Sequence, residues 1–145
     1  MIMSSYGMRH LFVRKEKLMA NSYTQIYLHY VVATKYRMRF LNIDIEKELY
    51  SYAAALTRDL HCFLQCIGGI DDHLHILEGL PPSLAVSEFA HKFKANTSRF
   101  INEKSWALGK FQWQEGYAGF SVSQSGLDKV REYIRHQPEH HLRIC

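Results

Sequence analysis

The stretch from position 61 to 80, "HCFLQCIGGIDDHLHILEGL", limits the fold more than any other. It holds two short strand-like runs with only a few turn-forming residues between them. So short a connection cannot cross over a sheet, so the two strands pair antiparallel as a hairpin. We expect strands at 61–67 and 73–80, with Gly68 and Gly69 making the turn. In "HLHIL" the alternation aims His73 and His75 at one face. Either they are half-exposed polar positions on an ordinary sheet, or they are two ligands awaiting a third.

The sequence on both sides of the hairpin extends it. "YTQIYLHYVVATKYR" (23–37) is rich in Tyr, Val, Ile and Thr and reads as a long first strand. Between 42 and 60, Ile45, Leu49, Tyr52, Ala53, Leu56 and Leu60 recur at helical spacing, with Asn42 or Asp44 as cap. After the hairpin, Pro81 and Pro82 end the strand and Ser83 caps a helix running to about Ser105. Its apolar stripe is Val86, Phe89, Ala90, Phe93, Thr97 and Phe100. "GFSVS" (119–123) reads as a fourth strand, and "SGLD" (125–128) as a capping box opening a third helix over 127–137.

The order is β-α-β-β-α-β-α. That is an α+β fold: a ferredoxin-like split βαβ antiparallel sheet with helices on one face, followed by a C-terminal helix. The 47% hydrophobic and 13% aromatic content of the 145 residues supplies a core for one domain, spanning 21–145. Residues 1–20 read as a basic N-terminal arm or a start-site extension, with Met19 as the alternative start. No apolar run approaches the ~18 residues of a membrane span. The net charge of +4 is compatible with a polyanionic partner. Cys62 and Cys66 would lie about 13 Å apart on a strand at ~3.3 Å per residue, too far to bridge each other. Three sparse cysteines, Cys145 included, fit thiols in a reducing cytosol.

The last helix offers what the histidines lack. In "YIRHQ", Tyr133 and Gln137 are four residues apart and share a helical face. An amide oxygen beside two imidazoles makes a neutral N/O set suited to Mg²⁺ or Mn²⁺. The metal would keep its full charge and act as a Lewis acid on a phosphate oxygen. Tyr133 would then face the bound substrate. Ionising a phenol of pKa about 10 at pH 7 costs roughly 4 kcal/mol, which a nearby cation reduces.

At this point the chain resembles a known family. "HLHIL" matches the HUH motif of the single-tyrosine HUH transposases, TnpA-type enzymes of small insertion sequences without terminal inverted repeats. Their relatives are associated with repetitive extragenic palindromes. "YLHYVVATKYR", "FKANTSRFINE", "FQWQEGYAGFSVS" and "VREYIRHQPEHH" extend the likeness over roughly 22–141. The resemblance implies that Tyr133 is the nucleophile and that His73, His75 and Gln137 hold a divalent metal. It implies a 5′-phosphotyrosine intermediate on single-stranded DNA, hairpins recognised near the element ends, and a homodimer. It implies a cytoplasmic, DNA-associated prokaryotic protein with no nucleotide cofactor. The same resemblance covers a domesticated relative acting on dispersed palindromic repeats and a non-catalytic hairpin-binding protein. A two-histidine phosphoesterase would need a second histidine motif, and none is present.

Two positions depart from the family pattern. Asp71-Asp72 stands where Pro-Asp is common, leaving Asp72 as either a partner for an imidazole or a turn residue. Pro138 follows Gln137 and disfavours helical ψ there. For DNA phosphates the candidates are Lys35, Arg37 and Arg39 at the first strand's end, and Lys92, Lys94 and Arg99 on the second helix. The first set reads equally as a solvated strand end, and the second more readily as a solvated helix face. Trp113, Tyr117 and Phe120 read as core or dimer packing before base stacking. His136, His140 and His141 read as surface residues.

Overall fold

A computed structural model describes residues 23–136 and 141–145. The expected arm at 1–20, Gln137, Pro138 and His140 lie outside these residues. The elements are β1 (Ile26–Ala33), α1 (Ile43–Asp59), β2 (Phe63–Ile70), β3 (His73–Leu80), α2 (Val86–Lys104), β4 (Ala118–Val122), α3 (Leu127–Arg135) and β5 (Arg143–Ile144). The sheet runs β4-β1-β3-β2-β5, with every neighbouring pair antiparallel. Its first four positions carry the strand order of the expected split βαβ fold. The short β5 was not expected.

Alternation along the strands divides the sheet into two unlike faces. Leu28, Tyr30 and Val32 of β1 and Leu74, Ile76 and Leu80 of β3 point to one side. There they meet Leu49, Tyr50 and Ala53 of α1 and Phe89, Phe93 and Ile101 of α2. Fully burying such a side chain contributes roughly 1.5–3 kcal/mol, so this face carries most of the fold's stability. α1 starts where expected: Asn42 Oδ1 accepts from the Asp44 and Ile45 amides at 3.1 Å each. α2 starts later than expected, because the turn closed by Leu84 N on Pro81 O (3.2 Å) takes up Ser83. Past α2, Asn102 binds the Phe111 backbone and Trp113 Nε1 donates to Thr97 Oγ1 at 2.9 Å. Trp113 is thus a core residue.

Among the described residues, α3 is the one helix on the other face. Leu127 and Ile134 pack on Cys66 and Leu77 in a small second cluster. Ser123 caps the turn before α3 by accepting from Gly126 N, a role the sequence reading gave to Ser125.

The expected glycine turn is corrected. Gly68 and Gly69 lie inside β2, and Asp71-Asp72 make the turn. A Cβ on Gly68 would stand 2.8 Å from Ile134 Cγ2, so this glycine lets α3 approach the sheet. A Cβ on Gly69 would stand 2.4 Å from His73 O.

Two further expectations change. His141 is buried, with Nδ1 on Glu46 Oε1 and Nε2 2.7 Å from Asp71 Oδ1. Cys66 is joined to Cys145, 79 residues away, in place of the expected thiols. Cys145 reaches it because β5 pairs antiparallel with β2. Among the described residues, no helix is long and apolar enough to cross a membrane.

Candidate active site

Because Leu74 and Ile76 turn into the main core, His73 and His75 must face the opposite side, beneath α3. β1 adds a third imidazole to that face. In the β1–β3 register His29 lies diagonal to His75, and His29 Nε2 is 3.0 Å from His75 Nδ1. α3 brings Tyr133 over them: its ring stands edge-on at 5.5 Å from the His75 ring and 6.1 Å from the His29 ring. Tyr133 remains 57% exposed.

Both histidines of the motif are held by their Nδ1 atoms. Asp72 Oδ1 sits 2.6 Å from His73 Nδ1, which settles the open question about Asp72 as a partner for the imidazole. When His75 Nδ1 donates to His29 Nε2, each motif histidine keeps its Nε2 lone pair. Burial, followed by the nearby His29 and His73, holds His75 down at about 4. Burial also lowers the pKa of His29. His75 is therefore a neutral donor at neutral pH.

The Arg37 guanidinium meets His73 Nε2. A positive charge thus already rests on the lone pair that a metal would take. Two imidazoles suit a divalent cation only once Arg37 moves off His73 Nε2, and among the described residues no three His, Cys, Asp or Glu side chains cluster as a metal cage. Gln137, the expected third ligand, lies outside the described residues.

Arg37 arrives by an unusual route. Lys35 to Met38 form a tight turn closed by Met38 N on Lys35 O at 3.3 Å. Its central residues, Tyr36 and Arg37, have φ of 60° and 54°. This is a type I′ turn, normally filled by Asn and Gly. Each left-handed residue with a side chain costs about 1–2 kcal/mol. The other non-glycine positive φ values, at His61 and Ser105, fall where α1 and α2 end, a common place for that conformation.

The remaining candidates are placed as follows. Lys35 Nζ donates to Gln112 Oε1 at 2.9 Å, and the exposed Arg39 lies 3.9 Å from Asp71. Lys92 pairs with Glu88, and Arg99 with Asn96 and Glu103. Lys94 Nζ holds the carbonyls of Gln114 and Gly116 at 2.6 and 2.8 Å. The helix carrying Lys92, Lys94 and Arg99 packs on the face opposite the histidines. The structure therefore brings together His73, His75, Tyr133 and Arg37. Sequence reasoning missed His29, although "YLHYV" places a histidine at an alternate position of an apolar strand, as "HLHIL" does.

The family model described as IS200-like transposase matches residues 22–137. The transposase for insertion sequence element IS200 of Salmonella typhimurium strain LT2 is 28% identical over 130 residues, covering 86% of this chain and 84% of that protein. Its counterpart from Salmonella typhi matches equally. A crystal structure from Deinococcus radiodurans R1 with a provisional transposase assignment superposes with a TM-score of 0.64 at 21% identity. That match covers 81% of this chain and 94% of the other. A REP-associated tyrosine transposase bound to a REP hairpin superposes with a TM-score of 0.59 at 15% identity, covering 79% and 67%.

Proposed function

Because the chain belongs to the IS200-like transposase family, we propose that it nicks and rejoins single-stranded DNA at hairpin-marked ends, with Tyr133 as the nucleophile. The observation that carries this reading is the Tyr133 ring lying against His75 and His29 while still open to solvent. The Tyr133 oxygen attacks the scissile phosphorus and gives up its proton as the new bond forms. The bond to the 3′ oxygen breaks, and that oxygen leaves as a hydroxyl after taking up a proton. The product is a 5′-phosphotyrosine and a free 3′-hydroxyl. The reverse attack by a second 3′-hydroxyl reseals the strand without ATP, since the bond energy stays in the phosphotyrosine.

His73 and His75 through Nε2, with Gln137, would hold Mg²⁺ or Mn²⁺. When bound, such an ion polarises a phosphate oxygen. Asp72 and His29, each at the Nδ1 of one ring, would hold the two imidazoles with Nε2 free for the ion. Arg37, displaced from His73 Nε2 by the ion, would supply a charge-assisted contact to the same phosphate. Each chain carries one such tyrosine, so cutting two element ends calls for a pair of chains. The protein would act on cytoplasmic DNA.

A labelled hairpin with single-stranded flanks, incubated with Mg²⁺ and run on a denaturing gel, tests the reading. The wild-type chain should form a covalent adduct, and EDTA should prevent it. Adducts formed by Tyr133→Phe would remove Tyr133 as nucleophile. Cleavage in EDTA would remove the metal role of His73, His75 and Gln137.

A further inference from the structure

We propose that Tyr36 is a stacking platform for an unpaired base of the DNA strand that passes over the histidines. The inference rests on the single-strand reading above. Tyr36 is 86% exposed, the second most exposed large hydrophobic side chain among the described residues. It sits at a left-handed position with φ 60° and ψ 21°, where Asn or Gly would be comfortable. The strain is not offset by burial. What the turn achieves is placement: it sets Arg37 on His73 and leaves Tyr36, the preceding residue, in solvent.

The surroundings name the occupant. Lys35 Nζ lies 5.4 Å from the Tyr36 ring centre, Arg37 is next in sequence, and the exposed Arg39 follows. An open aromatic face among cations suits a base attached to a phosphate backbone. A strand whose phosphate lies at His73 and His75 brings a neighbouring base to the turn. Stacking needs no hydrogen-bond readout, so Tyr36 would hold the strand in place without choosing its sequence.

Equilibrium binding of the full chain, in EDTA to prevent cleavage, tests this with two DNAs: a blunt hairpin and the same hairpin with single-stranded flanks. Tyr36→Ala should weaken binding of the flanked hairpin roughly 5- to 100-fold and leave blunt-hairpin binding unchanged. Tyr36→Trp should bind the flanked DNA at least as well as wild type. Tyr36→Gly should raise the melting temperature by a few degrees while losing the flank preference, separating folding from binding. An abasic scan of the flank should reveal a position that weakens the wild-type chain and costs Tyr36→Ala nothing more. Equal loss on both DNAs, no loss on either, or additivity at every abasic position would overturn the proposal. If the wild-type chain shows no flank preference, the single-strand reading falls and this proposal falls with it. A preference that survives Tyr36→Ala removes this proposal alone.

Discussion

The two faces of one sheet are built for different ends. On the α1/α2 side, aromatic and aliphatic residues interlock and almost everything is buried. On the α3 side, the apolar cluster among the described residues has four buried members with Tyr27, Val122 and Val130 partly buried against them, and histidines occupy strand positions that would otherwise be apolar. Strand alternation makes this division available at no cost in backbone, since each strand serves both faces. Stability and chemistry can therefore be damaged separately, and substitutions on the two sides should show it.

Tyr133→Phe should give the largest effect: complete loss of the covalent adduct on a denaturing gel. Thermal unfolding should stay within about 0.5 kcal/mol of wild type, because the side chain is largely exposed. On the other face, Phe93→Ala should cost about 3–5 kcal/mol in urea unfolding, by leaving a cavity under the sheet. The molecules that remain folded should still form the adduct. Should that variant fold well yet fail in chemistry, the two faces are not independent.

Gly68→Val tests the seam between them. Its Cβ would meet Ile134 Cγ2, so about 1–3 kcal/mol of stability should go. Adduct formation should fall further than the folded fraction explains. His29→Phe should weaken Mn²⁺ binding by roughly 10- to 100-fold in a spin-resonance titration, with hairpin binding unchanged. Unaltered Mn²⁺ affinity would leave His29 as packing only.

The smallest effect at mild acidity belongs to Glu78, whose carboxyl is wholly buried on the apolar face without a hydrogen-bond partner among the described residues. Burial pushes it from 4.5 up to about 9. The folded chain then holds a proton that the unfolded chain releases, so stability falls as pH rises between those two values. The slope is at most about 1.4 kcal/mol per pH unit. Near pH 5 Glu78→Gln should melt like wild type. By pH 8 the variant should be the more stable of the two, and parallel melting curves across that range would rule the buried acid out.

What the sequence revealed was local. Period changes located seven elements, and alternation put His73 and His75 on one face. Most of the errors share one cause, which is that their determinants lie far along the chain. Gly68-Gly69 looks like a turn until Ile134 is known to sit above it. His141 looks exposed because its carboxylate partners are 95 and 70 positions away. His29 needed the β1–β3 register, and Cys66 needed β5. Ser83 misled for a nearer reason: a capping residue also suits a turn, and here the turn took it.

Gly68 also bears on how copies of such a gene are judged. The residues proposed for catalysis can be checked in any copy of the gene by sequence alone. A copy with any larger side chain at position 68 would keep both motif histidines, the tyrosine and the glutamine, and would pass that inspection. Its last helix would nevertheless ride high, with the phenol held away from the imidazoles. An inventory of working copies should therefore read this glycine along with the motif.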